Sequence, residues 1–201
     1  SRLNQCMLKS VYSASLRNRF HSLSERQTVV SGPLDRVVLI GGDIELRIVS
    51  LVVRCREVAD EVVLFDTGST DETVQLAHEV NCRVVQFSDA VTPQKLAEAA
   101  VESGCVDGLS LFLPILPQWK LSELPLSVNR AREGWDIHYL YRRVGEHGSH
   151  DSVVLSQSVV GHLITSKEGM HQLANLPDGA TSDDVSQDVR ARFVETDAPI
   201  Q

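Results

Sequence analysis

The sequence of 201 residues predicts a single α/β domain, a mainly parallel sheet flanked by helices, on three observations. Short runs of β-formers alternate with amphipathic stretches of helical length, as parallel strands joined by crossover helices require. The second of these runs, Val62-Val63-Leu64-Phe65, ends in an acid and a glycine-containing turn, Asp66-Thr67-Gly68-Ser69. The length and the 42% hydrophobic content suit one well-buried core.

In chain order, Leu8, Tyr12, Leu16 and Phe20 recur every four residues and predict a basic amphipathic helix before Ser31-Gly32-Pro33. Residues 1–34 form this segment and residues 35–201 the domain. Arg36–Ile40 reads as the first strand, Gly41-Gly42 as a turn, and Ile44–Cys55 as a helix. Glu61–Phe65 is the second strand; Ser69, with Glu72 three positions on, predicts a capping box for a helix over Thr70–Val80. Arg83–Phe87 and Gly108–Leu113 read as the third and fourth strands, on either side of a helix over Thr92–Ser103. Pro114-Ile115-Leu116-Pro117 is a turn; a helix over Leu121–Glu133 and a strand over Asp136–Tyr141 continue the alternation. The loop Gly145–Asp151, the apolar run Val153–Thr165, a helix capped by Thr165 with Glu168, and a strand near Arg192–Glu195 close the chain.

The formal charge of −8 excludes broad nucleic-acid binding, which needs clustered Lys and Arg. The charge is uneven. Arg2, Lys9, Arg17, Arg19 and Arg26 face only Glu25 in residues 1–34, so the rest is more acidic than the whole. The basic stripe would suit an anionic membrane surface, or packing against its own domain. No run of about 18 apolar residues is present to span a membrane, and residues 1–34 lack the apolar core of a signal peptide. Cys6, Cys55, Cys82 and Cys105 show no Cys-x-x-Cys spacing and read as free thiols in a reducing compartment. His147-x-x-His150-Asp151 has ligand-like spacing for Zn²⁺ or Mn²⁺, but equally suits an exposed loop.

Asp66 lies at the carboxyl end of a strand, the edge where open α/β sheets bind ligands, and there it can accept from a ribose hydroxyl or a base N–H. Asp89, just past the third strand, either joins that pocket or starts a turn. Asp71 reads as a first-turn residue favoured by the helix dipole.

The segment Asp66-Thr67-Gly68-Ser69-Thr70-Asp71 resembles the Asp-Asp-Gly-Ser-Thr-Asp signature of family 2 glycosyltransferases, in the branch that includes the dolichyl-phosphate (polyprenyl-phosphate) sugar synthases. Thr67 stands in place of the second Asp. The resemblance runs in order from Val37-Val38-Leu39-Ile40, through Asp43-Ile44-Glu45 and Ala59-Asp60-Glu61, to Gly134-Trp135-Asp136, Ser166–Met170 and Val194-Glu195 with Pro199-Ile200. It implies a Rossmann-like fold of the nucleotide-diphospho-sugar transferase type. It also implies transfer of a hexose from a nucleoside-diphosphate sugar to an acceptor such as a polyprenyl phosphate at a membrane surface, by a cytoplasmic, peripherally bound protein.

Residue by residue, the resemblance makes Asp66, Asp43 and Glu45 nucleotide-binding and Lys95, Arg142 and Arg143 phosphate-facing. The family's fourth strand is followed by Asp-x-Asp-x-Gln, which holds Mg²⁺ or Mn²⁺ against the diphosphate. Here the stretch reads Pro114-Ile115-Leu116-Pro117-Gln118, leaving Gln118 as a vestige of the ligand set. Two outcomes follow: transfer with the cations as clamp, or a descendant that binds a nucleotide or partner without catalysis. Gly41-Gly42 distantly resembles the turn of sugar nucleotidylyltransferases, but the Thr-Arg that should follow is missing.

Overall fold

The computed structural model describes residues 34–116, 124, 128–129, 133–142, 153–156 and 160–195. The N-terminal helical segment, Gln118, Arg143, the His147/His150/Asp151 group and Pro199-Ile200 lie outside the described residues, as does most of Leu121–Glu133.

Seven strands form one sheet: β1 (Leu34–Gly41), β2 (Ala59–Asp66), β3 (Arg83–Gln86), β4 (Ser110–Pro114), β5 (Ile137–Arg142), β6 (Val160–Thr165) and β7 (Ala191–Glu195). Their order is β3-β2-β1-β4-β6-β5-β7. Pairing is parallel from β3 through β4 and between β5 and β7, while β6 runs antiparallel to both its neighbours. The helices are α1 (Ile48–Cys55), α2 (Thr73–Glu79), α3 (Pro93–Glu102) and α4 (Lys167–Ala174).

The strands are apolar on both sides because both faces are covered. Val37, Leu39, Val62, Leu64, Leu111 and Leu113 point to one face, where they pack with Ile48, Leu51, Val52 and Cys55 of α1 and Ala77 of α2. Val38, Ile40, Val63, Phe65 and Phe112 point to the other, against Leu96, Ala97 and Ala100 of α3 and Met170 and Leu173 of α4. Phe65 anchors the second layer. It is fully buried, stacks on Phe87 with ring centroids 5.7 Å apart, and meets Phe112 edge-on at 6.2 Å.

At the amino edge of the sheet, Arg36 is 8% exposed and donates to Glu61 at 2.6 Å, to the Asp107 carbonyl and to the Ser110 hydroxyl. Its charge is therefore paired and hydrogen-bonded, as burial requires. At the same edge, α4 approaches the start of β5 so closely that a Cβ at Gly169 would sit 2.1 Å from the Asp136 carbonyl oxygen. Only glycine permits that contact.

Helix starts differ from expectation. The residues 45–47 make a turn before α1, so the helix begins at Ile48 rather than Ile44. α2 begins at Thr73, and neither Ser69 nor Glu72 caps it with a side chain. α4 is capped by Ser166, whose hydroxyl accepts from the Gly169 N–H, and not by Thr165. α3 starts as predicted: the Thr92 hydroxyl accepts from Lys95 N–H, with Pro93 at the first helical position.

Replacing Phe65 with Ala should cost about 3–5 kcal/mol, the range for emptying a buried aromatic site. Equilibrium urea unfolding of the purified variant measures it.

Candidate functional site

Parallel pairing places Gly41 opposite Asp66, and Asp66 opposite Gln86, at the carboxyl edge. Ile40 pairs with Pro114, and the Ile115 N–H donates to the Ile40 carbonyl at 2.8 Å, which brings the end of β4 alongside. The loops after β1 and β2 are therefore neighbours, and each must satisfy backbone amides that no ladder reaches.

They satisfy each other. The Asp43 carboxylate accepts from the N–H groups of Thr70 at 2.7 Å and Asp71 at 3.2 Å. The Glu45 carboxylate accepts from the Glu72 N–H at 3.3 Å. In return the Asp43 N–H donates to the Ser69 hydroxyl, the Ile44 N–H to the Thr73 hydroxyl at 2.8 Å, and the Glu45 N–H to the Asp71 carboxylate at 3.0 Å. The amides leading into α2, expected to be served by a local capping box, are thus met from the other loop as far as Glu72, while the first helical N–H, that of Thr73, donates to Asp71 in its own loop at 2.9 Å. Asp43 adopts a left-handed φ of 51° to reach them, a conformation that Asp tolerates at a cost of about 1 kcal/mol.

Asp66 has a different surrounding from the one predicted. It is 2% exposed, and its oxygens accept from the Gly68 N–H at 3.3 Å, the Ser69 N–H at 3.2 Å and the Ser69 hydroxyl. This is an Asx turn, with Gly68 at a φ of 101° that side-chain-bearing residues rarely adopt. Asp66 stands behind the turn and does not line the open space. Gly42 is also constrained, since a Cβ there would lie 3.0 Å from the Thr67 hydroxyl oxygen.

In front of the turn lies an open cleft of about 530 Å³, within the range of small-molecule sites. Residues Gly42 to Arg47 form one wall, Asp71 another, and Ile115 the floor. Leu46 stands at its rim with 92% of its surface exposed. Of the predicted nucleotide-binding residues, Asp43 and Glu45 line the cleft, while Asp66 and Asp89 do not. Asp89 is exposed on the loop after β3.

Among the predicted phosphate-facing residues, Lys95 also stays outside the cleft. Its ammonium lies 2.5 Å from Glu98 one turn along α3, and that hydrogen bond is the main cause of its raised pKa. Arg142 ends β5 at the same edge of the sheet. Arg47 was not expected. Its Nη1 donates to the Leu116 carbonyl at 3.0 Å, 69 residues away in sequence, and it lines the cleft. The sequence signal available for it was its place in the first turn after Asp43-Ile44-Glu45.

Among the described residues, the donors at this edge do not match the Mg²⁺ or Mn²⁺ that the family's motif holds. Pro114 and Ile115 are buried, with no carboxylate, and the Leu116 carbonyl already accepts from a cation. The carboxylates of Asp43, Glu45 and Asp71 are taken up by backbone N–H groups. No group of three His, Cys, Asp or Glu side chains among the described residues is arranged to hold a metal ion.

No protein-family model matches the chain. No curated protein matches it either. Solved structures do. Glucosyl-3-phosphoglycerate synthase from Mycobacterium tuberculosis, crystallised with Mn²⁺, uridine diphosphate and glucosyl-3-phosphoglycerate, is 20% identical, with 80% of this chain and 68% of that chain covered at a TM-score of 0.50. The fold is that of the nucleotide-diphospho-sugar transferases. Mannosyl-3-phosphoglycerate synthase from Rubrobacter xylanophilus is 12% identical, covering 90% of this chain and 68% of that one at a TM-score of 0.47. CMP:2-keto-3-deoxy-manno-octonic acid synthetase, complexed with CTP, is also 12% identical, covering 82% and 92% at a TM-score of 0.47. In this nucleotide-diphospho-sugar transferase fold the cleft lies at the carboxyl edge, where open α/β sheets bind ligands. No helix among the described residues is long and apolar enough to cross a membrane.

Two measurements test the clasp. Asp43→Ala strips the acceptor from Thr70 and Asp71, so their amides should exchange faster and stability should fall by about 1 kcal/mol, as for a lost helix cap; hydrogen exchange followed by NMR reads both. Desolvation is the largest influence on the Asp71 carboxyl and pushes its pKa up, but the hydroxyl and N–H of Thr73 and the N–H of Glu45 together hold it below the ordinary value. A carboxyl lowered in the fold stabilises above its unfolded pKa and loses that contribution as pH falls through its folded pKa. Unfolding followed from about pH 6 to about pH 2 should therefore show a shallower acid loss in Asp71→Asn than in the parent.

Proposed function

We propose that the chain binds a nucleoside-diphosphate sugar at the carboxyl edge of β1, β2 and β4 and transfers its hexose to an acceptor. The observation that carries this reading is the open cleft at the ends of two parallel strands in a nucleotide-diphospho-sugar transferase fold, walled by Asp43 and Glu45. In this reading those two residues take the base or ribose by accepting hydrogen bonds. Asp66 shapes the turn behind them.

Transfer would proceed by attack of an acceptor oxygen on the anomeric carbon, with the bond from that carbon to the diphosphate breaking and the nucleoside diphosphate leaving with the electron pair. The developing charge needs cations, and the proposed ones are protein side chains, among them Arg142, which ends β5, and Arg143, the next residue in sequence. A polyprenyl phosphate is the acceptor we favour. The resemblance to the polyprenyl-phosphate branch and the basic, amphipathic character of residues 1–34 support it.

A second reading is favoured by one specific observation. Pro114, Ile115 and Leu116 occupy the Asp-x-Asp position, and the first two are buried. A descendant that keeps nucleotide binding and has lost transfer would look the same at this edge.

Calorimetric titration with UDP, GDP and their hexose conjugates, with and without Mn²⁺, tests the shared claim of nucleotide binding. Binding is expected, and Glu45→Gln should weaken it about tenfold through loss of one charge-assisted hydrogen bond. Absence of binding to every nucleotide would remove both readings. Release of nucleoside diphosphate in the presence of a short-chain polyprenyl phosphate then separates them: turnover supports transfer, and binding without turnover supports the second.

A further inference from the structure

Among the described residues Leu46 is the one exposed large hydrophobic side chain, with 92% of its surface open to solvent. A lone exposed leucine is ordinary on a protein surface; its position sets this one apart. It stands at the rim of the cleft, with Ile44 on the same wall and Ile115 on the floor. Ile44 and Ile115 already pack into the α1 side of the core, so of these three aliphatic side chains Leu46 has the most apolar area left to bury. The turn that carries it is pinned from both sides. The Arg47 and Ile48 N–H groups donate to the Ile44 carbonyl at 2.8 and 2.9 Å, and the Glu45 N–H donates to the Asp71 carboxylate at 3.0 Å. A leucine on a fixed turn gives up little backbone freedom when a ligand covers it.

We infer that the Leu46 side chain packs on the base of the bound nucleotide and contributes to affinity through that hydrocarbon contact. The inference rests on the nucleotide-sugar reading and names the base contact within it. The composition of the wall selects among the parts of the ligand. A diphosphate is repelled by the carboxylates of Asp43, Glu45 and Asp71, which line the same cleft. A ribose or a hexose presents hydroxyl groups, whose hydration an aliphatic side chain does not replace. A nucleobase is uncharged, offers a flat face that hydrocarbon can cover, and carries N–H groups at its edge for carboxylates to accept. Asp43 and Glu45 lie within three residues of Leu46 on one wall, so the edge and the face of a single ring can be met together.

The test is calorimetry on the full chain with UDP and GDP at several temperatures, comparing the parent with Leu46→Met, Leu46→Ala and Leu46→Asn. Because Leu46 is exposed, urea unfolding should be the same in all four, so a change in affinity reports the contact and not the fold. Affinity should follow the apolar area offered: methionine close to the parent, alanine about tenfold weaker, asparagine weaker again, the alanine step being of the order expected when a leucine side chain is partly covered. The heat-capacity change on binding should be less negative in Leu46→Ala, as less apolar surface is buried. Equal affinity in the parent and Leu46→Ala, or weaker binding with an unaltered heat-capacity change, overturns the base contact and leaves the nucleotide-sugar site standing. A loss confined to a short-chain polyprenyl phosphate, with UDP and GDP unaffected, also overturns it, by assigning Leu46 to the acceptor. No binding of either nucleotide by the parent overturns both the contact and the reading it rests on.

Discussion

Register between two parallel strands governs everything at the carboxyl edge. Because Gly41 pairs with Asp66, the chain leaves β1 and β2 at the same height, and two loops rich in unpaired amides emerge side by side. Neither has local partners enough. Acidic side chains of each loop accept from the backbone of the other, and the turn that leads into α2 is held across the gap. The cleft is the space left in front of this clasp, so its shape follows from hydrogen-bond accounting as much as from packing. A ligand that bonded to Asp43 or Glu45 would share them with backbone donors or draw them away. Ligand entry and loop order would be coupled through that competition.

The acid-rich wall and the apolar floor have opposite tendencies. Three carboxylates gather at this edge, and each is held against backbone N–H groups. The floor is hydrocarbon, with an arginine tied to the main chain beside it.

Much of the scaffold was legible in the sequence. The runs around Val37–Ile40, Val62–Phe65 and Leu111–Leu113 are apolar at every position, and a buried parallel sheet is the arrangement that satisfies them on both faces. The site was harder to read, because its decisive contacts are not local. Asp66 is an attractive ligand until its three donors, all within the next three residues, are seen to close on it. The amides from Thr70 to Glu72 are met by Asp43 and Glu45, 27 or more positions earlier, and the first amide of α2 by Asp71, where the local rule looked to Ser69. Arg47 is an ordinary surface arginine in sequence, and only the return of β4 gives it a carbonyl to hold. Lys95 stays outside the cleft, where its helical neighbour Glu98 holds its ammonium.

The single reversed strand has a further consequence. β5 climbs to Arg142 and β6 descends from Val160, its direct partner, so the connection between them departs from and comes back to the same rim as the cleft. Its described part, Val153 to Ser156, donates to and accepts from Ala180 and Gln94, which moors it beside the opening of α3. Lengthening or shortening that excursion would leave every rung of the ladder untouched. Selection can thus vary the length of that connection without asking the sheet to refold.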